Sequence, residues 1–429
     1  FRRVLFRSIF KEESIMKKMK KVMSLLLVMA MMTALVSGCA NSGNSDAAGD
    51  TATESTDAAA QADDATAEST AADGPTFKIG GIGPITGSAA VYGMAVQNGA
   101  DLAIKEINAA GGINGYKIEY NFQDDECDNE KSVNAYNTLK DWGMNILLGS
   151  VTSGCCIAVA AESSNDNMFQ ITPSGSSVDC INGNDNVFQV CFTDPNQGVG
   201  AAQYIGENGV ASKVAVIYDS SDVYSSGIYE KFTAEAANQP FEIVAAEAFT
   251  ADNKTDFSVQ LQKAKDAGAE LIFLPIYYSE ASLILTQANA MGYATKFFGC
   301  DGLDGILGVE NFDTSLAEGV MLLTPFAADA QDDATKAFVS AYEAAYGETP
   351  NQFAADAYDA IYIIKAAVEA SGATPDLSAS DLCDQLKAAM GTISVDGLTG
   401  AGMSWDADGA VNKAPKAMEI VNGNYSLIQ

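Results

Sequence analysis

Apolar residues along this chain recur in two alternating rhythms. From Phe77 to Ile82 they run almost without interruption, as in a strand buried on both faces. A Gly- and Ser-rich loop follows, and then Val96, Ala100, Ala103, Ile104 and Ile107 recur at helical spacing. Gly111-Gly112-Ile113-Asn114-Gly115 stops that helix, and a second strand begins at Tyr116. The product is a βαβ unit. Its strand-to-helix loop lies where open α/β sheets bind ligands.

The alternation continues. It predicts strands at Met144–Gly149, Phe169–Thr172 and Phe188–Phe192, with a helix through Ala158–Ser164. Pro173-Ser174-Gly175-Ser176-Ser177 closes the second of these strands, and Thr193-Asp194-Pro195-Asn196-Gln197-Gly198 is a polar junction ahead of another helix. At Lys213–Tyr218 the pattern restarts, with a helix over Ser225–Ala237 and a strand at Phe241–Ala246. Strands at Glu270–Pro275 and Lys296–Gly299 bracket a helix over Ala281–Met291, and Val320–Thr324 reads as a strand returning toward the first half. Helices follow near Asp332–Tyr346, Gln352–Ser371 and Ser380–Met390, and Ala417–Ile428 reads as a hairpin turning at Asn422-Gly423. Such alternation implies parallel sheets covered on both faces. There are too many units for one sheet, so the expected fold class is α/β, two Rossmann-like lobes with a cleft between them.

Three pieces of the opening unit are specific: Gly83-Pro84-Ile85-Thr86-Gly87, Tyr92-Gly93, and Ile107-Asn108-Ala109-Ala110-Gly111-Gly112-Ile113-Asn114-Gly115. Together they closely resemble the start of the Leu/Ile/Val-binding family, the type I substrate-binding proteins of bacterial ABC transporters. The resemblance extends across essentially the whole body. It implies a three-segment hinge, with crossings near 194–196, near 324–326 and shortly before Met403. Lobe 1 would then comprise 77–194 and 325–402, and lobe 2 would comprise 195–324 and 403–429, closing about that hinge.

The first residues read as targeting rather than fold. Met16-Lys17-Lys18-Met19-Lys20-Lys21 is basic, and the apolar run Val22–Val36 ends at Val36-Ser37-Gly38-Cys39. A run of that length is short for a transmembrane anchor, the competing reading. The small residues before Cys39 favour a lipoprotein signal at 1–38, with Cys39 becoming the lipid-bearing N-terminus. Residues 1–15 read as lying upstream of the true start. Residues 39–76 carry eight acids, no base and no aromatic, a composition that cannot offset its own ordering entropy. They are expected to form a disordered tether that holds the body off the membrane.

From Cys39 onward, 16 bases face 54 acids, a net charge of −38. Such a surface repels nucleic acid and anionic lipid, so membrane contact is expected only through the lipid. The 353 residues from Phe77 suffice for two domains. The chain has no histidine, which removes His-based acid–base catalysis and the Ser-His-Asp and Cys-His nucleophile systems. No P-loop or GxSxG elbow appears, so no enzyme activity and no cofactor is expected. Seven cysteines besides Cys39 leave at least one thiol free. Their spacing matches no metal site, and Cys155-Cys156 reads as small apolar residues opening a buried helix. If a disulfide forms, Cys127 with Cys155 or Cys156 is the first pair to test. The resemblance implies a bridge between these regions, although its second position is Thr152 here.

Three loops at strand ends are rich in glycine and small hydroxyl residues: Ser150-Val151-Thr152-Ser153-Gly154, Pro173-Ser174-Gly175-Ser176-Ser177, and the first loop ending at Tyr92. Two precede helices, so backbone N–H groups and the positive dipole end can hold a carboxylate without an arginine. Capping alone explains any single serine; three such loops in succession point to binding. The resemblance implies that Ser153, Ser174 (through its backbone) and Ser176 take a ligand carboxylate. It likewise implies that Tyr92, Tyr224 and Tyr277 form an aromatic wall and that Asp301 takes an α-ammonium. The family often carries the longer glutamate at that last place. Asp301 before Gly302 is also ordinary turn chemistry. Asp124-Asp125-Glu126-Cys127-Asp128 lacks the alternating ligands and central glycine of a calcium loop, and Asp406-Ala407-Asp408-Gly409 reads as a polar turn.

The expectation is therefore an extracytoplasmic, lipid-anchored, monomeric solute-binding protein. It would pass an amino acid, by resemblance a branched-chain one, to ABC permease subunits. Rivals are the same fold holding an amide, urea or aromatic acid, a sensory ligand domain, and a hydrolase using paired carboxylates.

Overall fold

The computed structural model describes residues 74–428. Its first sheet holds β1 (Phe77–Gly83), β2 (Ile118–Asp124), β3 (Ile146–Leu148), β4 (Gln170–Thr172) and β5 (Val187–Gln189) in the order β2-β1-β3-β4-β5. Every neighbouring pair is parallel. The connections run through α1 (Ala90–Ala109), α2 (Asn129–Trp142) and α3 (Ser153–Asp166). The short strands β3, β4 and β5 are buried at every residue, as two-sided cover by helices requires.

The second sheet holds β6 (Lys213–Asp219), β7 (Glu242–Phe249), β8 (Leu271–Leu274), β9 (Lys296–Gly299), β10 (Met321–Thr324), β11 (Lys416–Val421) and β12 (Asn424–Leu427). Their order is β12-β11-β10-β9-β8-β6-β7. Strands β6 to β10 are parallel, and β11 and β12 are antiparallel additions at one edge. Helices α4 (Asp194–Glu207), α5 (Val223–Ala236), α6 (Ser258–Asp266) and α7 (Tyr278–Ala290) belong to this half. The turn between β11 and β12 places Asn422 and Gly423 at φ 53° and 72°, the two positive values a type I′ hairpin requires.

Three further helices, α8 (Asp333–Tyr346), α9 (Gln352–Ser371) and α10 (Ala379–Met390), return to the first lobe. Asn351 caps α9 by accepting the Ala354 N–H, and Gly372 ends it in the left-handed region. The packing of α9 on α1 depends on Gly99, since a Cβ there would sit 2.1 Å from the Ala354 carbonyl oxygen. That close approach carries Phe353, at the head of α9, to the end of α1 that bears Tyr92.

Most predicted elements stand within two or three residues of their expected bounds. Three differ. Helix α2 was not anticipated because its sequence is mostly charged and amide-bearing; it buries only Ser132, Ala135, Tyr136 and Leu139. Helix α6 buries only Leu261 and Ala264, too thin a stripe to stand out. Helix α3 begins at Ser153 rather than Ala158, with Thr152 as its cap position. Strand β10 lies inside the second sheet between β9 and β11, and the chain leaves it for α8. The last return falls later than Met403. Trp405 donates its indole N–H to Gln189 O (2.8 Å), and Gln189 N–H donates to Gly409 O (3.0 Å), so this stretch lines the β5 edge before the chain enters β11.

Candidate functional site

The strands of both sheets end toward the same cleft, and the residues just past those ends form its walls. On the first-lobe side, β3 runs into Val151 and Thr152, and Ser153 opens α3. The Ser153 hydroxyl accepts the Ser177 N–H (3.1 Å), which leaves its own proton free to donate toward the cleft. The loop after β4 is held by Thr172, whose Oγ1 accepts the Gly175 N–H (2.8 Å). Ser174 Oγ donates to Val151 O (2.7 Å). These internal bonds fix two hydroxyl loops beside the N-terminal end of α3, where the helix dipole favours an anion.

The second-lobe side is aromatic and acidic. Tyr224 lies in the first turn of α5, Tyr277 precedes α7, and Asp301 follows β9. Tyr224 donates its hydroxyl proton to Asp301 Oδ1 (2.7 Å) and accepts the Gly302 N–H (2.9 Å). Gln197 Oε1 accepts the Asp301 N–H (3.1 Å). Asp301 is 3% exposed, and no ion pair among the described residues involves it. Burial pushes its carboxyl up to about 7, against the bonds from Tyr224 and Gln197 that favour the charged form. Burial also raises the phenols of Tyr92, Tyr224 and Tyr277, so the wall is neutral.

The walls meet. Tyr92 donates to Gly302 O (2.5 Å) and accepts the Tyr278 N–H (3.2 Å), and Val91 N–H donates to Tyr278 Oη (3.1 Å). Tyr92 stands edge-on to Tyr277, with ring centroids 5.6 Å apart, and Tyr277 stacks on Tyr224 at 5.2 Å. Between them lies a cavity of about 10 Å³ lined by Tyr92, Val151, Thr152, Ser153, Ser174, Tyr224, Tyr277, Asp301, Gly302 and Phe353. That is about the room one water molecule needs, so the two walls stand closed upon each other. A larger open groove of about 630 Å³ runs past Met94, Leu307, Tyr342 and Tyr425, with Asp329, Glu343 and Glu348 also in its lining.

Six of the predicted residues thus line one cavity. Ser176 lies a layer deeper: its carbonyl accepts the Asp194 N–H (2.9 Å), and its buried hydroxyl has no partner among the described residues. Cys39 lies outside the described residues. Phe353, 4.3 Å from Tyr92 between ring centroids, was not foreseen, because within α9 it reads as one more core residue. Gln197 was passed over as junction polarity; its place one turn after Asp194 was the available signal. The acids at 124–128 make local bonds, although the buried Asp125 Oδ2 has no partner among the described residues. Asp124 holds Ile85, Thr86 and Glu126, Asp125 accepts the Cys127 N–H, and Asp128 caps α2. Among the described residues no group of three or more His, Cys, Asp or Glu could hold a metal ion. The described cysteines are free thiols, and Cys127 contacts the Thr152 hydroxyl at 3.6 Å.

Residues 76–424 match the family described as Periplasmic binding protein. The Brucella melitensis Leu/Ile/Val-binding protein homolog 3 is 32% identical over 307 residues, 70% of this chain and 81% of that one. The chain belongs to the Leu/Ile/Val-binding family of periplasmic binding proteins. The Pseudomonas aeruginosa leucine-, isoleucine-, valine-, threonine-, and alanine-binding protein is 30% identical over 298 residues, 69% of this chain and 79% of that one. Among solved structures, the Streptococcus pneumoniae transporter substrate-binding protein LivJ, in complex with isoleucine, superposes with a TM-score of 0.75 at 33% identity. It covers 82% of this chain and 98% of its own. A benzoate-bound solute-binding protein from R. palustris reaches 0.72 at 20% identity, covering 82% and 95%, and shows the shared fold alone. As a member of this family the chain is a solute-binding protein and not an enzyme.

Proposed function

We propose that this protein captures a branched-chain α-amino acid between its lobes, outside the cytoplasm, and delivers it to an ABC permease. The observation that carries the reading is the buried Asp301 carboxylate, without a basic partner, across a small tyrosine-lined cavity from the donor-rich start of α3. One unpaired acid facing one anion site is the complement of a zwitterion, whose charges must both be met once water is excluded. Ser153 and Ser174 take the carboxylate, with Ser176 in the layer behind them, Asp301 takes the ammonium, and Tyr92, Tyr224, Tyr277 and Phe353 enclose the apolar side chain. The branched-chain preference is supported by the names of the relatives and by the isoleucine held by LivJ.

In this reading ligand first meets lobe 1, and closure brings Tyr224, Tyr277 and Asp301 down upon it. The lobes divide near residues 194 and 325, with the third crossing at about 412–415. The closed monomer is the form a permease reads, and a lipid on Cys39 keeps it at the membrane. Among the described residues no helix is long and apolar enough to cross a membrane. The test is thermal unfolding of protein stripped of carried-over ligand, with each amino acid separately. A ligand at about 100 times its dissociation constant stabilises the native state by about 2.7 kcal/mol. A shift confined to leucine, isoleucine, valine and near relatives is expected. A shift with benzoate, urea or amides and none with amino acids would overturn the assignment.

A further inference from the structure

Backbone N–H groups at the start of a helix find no partner within it and are met by a cap or by water. Asp128, Asp222, Asp332, Asn351 and Ser378 cap α2, α5, α8, α9 and α10, each from the helix's own cap position. Helices α1 and α7 have Ala89 and Tyr277 there, and neither side chain makes a capping bond. Their N–H groups are met from across the cleft. Tyr278 Oη accepts the N–H of Val91, the second residue of α1 (3.1 Å). Tyr92 Oη accepts the N–H of Tyr278, the first residue of α7 (3.2 Å). The exchange is reciprocal, because each tyrosine stands in the first turn of one helix and caps the other. The two rings meet edge-on with centroids 4.7 Å apart, and Tyr92 donates its own proton to Gly302 O (2.5 Å). Both tyrosines are buried, at 1% and 4% exposure. Tyr278 is not part of the cavity lining.

Such caps exist only while the two walls are together. Parting them hands the Val91 and Tyr278 N–H groups to water at little cost, whereas a closed cleft without the phenol oxygens would bury N–H groups unmet. We infer that Tyr278 is a closure residue: it touches no ligand, and through the reciprocal capping of α1 and α7 it holds the closed lobes over the contents of the cavity. The inference rests on the proposal above that the lobes close on an amino acid. It goes beyond that proposal by assigning part of the affinity to a contact outside the cavity. The caps form only after the ligand has entered, so they act on its departure and not on its capture. Tyr92 belongs to both devices, as a wall of the cavity and as one half of the clasp.

The test is stopped-flow binding of leucine to the stripped wild type and to Tyr278→Phe, with the melting temperature of each protein recorded with and without leucine. Phenylalanine keeps the ring against Tyr92 and removes only the hydroxyl that caps α1. Leucine is expected to leave the variant roughly 5- to 150-fold faster, the range for a buried N–H deprived of its partner, with its association rate unchanged. The unliganded variant should melt at the wild-type temperature, since open lobes give the Val91 N–H to water, and only the leucine-bound form should melt lower. A tyrosine serving only the fold would lower both melting temperatures alike and leave the dissociation rate unmoved. Either of those results, equal loss in both forms or dissociation at the wild-type rate, would overturn the closure role alone. Absence of amino-acid binding in the wild type would overturn the reading beneath it, and this inference with it.

Discussion

Replacing Asp301 by asparagine removes one negative charge and almost no volume, so its effects can be worked from the site. The carboxyl is pushed by burial from 3.8 to about 7, and each pH unit corresponds to about 1.4 kcal/mol. Ionised Asp301 therefore costs the unliganded fold about 4 kcal/mol above neutral pH. The amide of Asp301→Asn would carry no such cost and would still accept the Tyr224 hydroxyl proton now received at 2.7 Å. The unliganded variant should accordingly be more stable than wild type at about pH 8, by an amount below that ceiling because the new amide donor needs a partner. Bound ligand changes the sign. Removing one member of a buried, paired charge costs about 3–5 kcal/mol, so leucine affinity should fall roughly 10²- to 10⁴-fold. Differential scanning calorimetry without ligand and isothermal titration with leucine read the two halves separately. A variant that binds leucine as tightly as wild type, or that melts lower without ligand, would refute the reasoning.

Three other outcomes follow from the same geometry. Asp301 and Asp304 both have folded-state carboxyls raised by burial to about 7, so the native state holds more protons than the unfolded state between about pH 4 and 7. Unliganded stability should then fall as pH rises through that window while leucine affinity rises, and parallel trends in melting and titration would contradict this. Lys413 and Asp356 form a fully buried pair at 2.7 Å. Lys413→Met alone should cost about 3–5 kcal/mol in denaturant unfolding, with most of the loss recovered in Lys413→Met/Asp356→Leu. Gly99→Val would drive a side chain into the Ala354 carbonyl and displace α9 with Phe353, so both melting temperature and leucine affinity should drop, whereas wild-type affinity would show that Phe353 does not shape the pocket.

Much of this architecture was legible because parallel strands buried on two faces must be continuous apolar runs. Phe77–Gly83, Lys213–Asp219 and Lys296–Gly299 stood out for that reason. Helices with a broad apolar face, such as α9, were equally plain. Helices α2 and α6 were not, since a helix clipped onto a sheet edge needs only two to four small contacts and can otherwise be polar. At the site, the hydroxyl-rich loops at strand ends were legible as a set. The individual residues, Ser153 and Asp301 among them, were named through the family resemblance, since a serine at a helix start and an aspartate before glycine read alone as a cap and a turn. Phe353 was not named. Its role comes from the register of α9 on α1, set by a backbone contact at Gly99 that no periodicity records.

A cleft that binds an amino acid with a branched apolar side chain stands at the centre of this picture. Titration calorimetry of the stripped wild-type protein with leucine, isoleucine and valine, set against benzoate, urea and the amide of leucine, addresses it directly. Saturable binding of at least one of the three amino acids, with weak or no heat from ligands lacking either the carboxylate or the ammonium, is the predicted result. Tight binding of benzoate or of leucinamide, with none for the free amino acids, would contradict it.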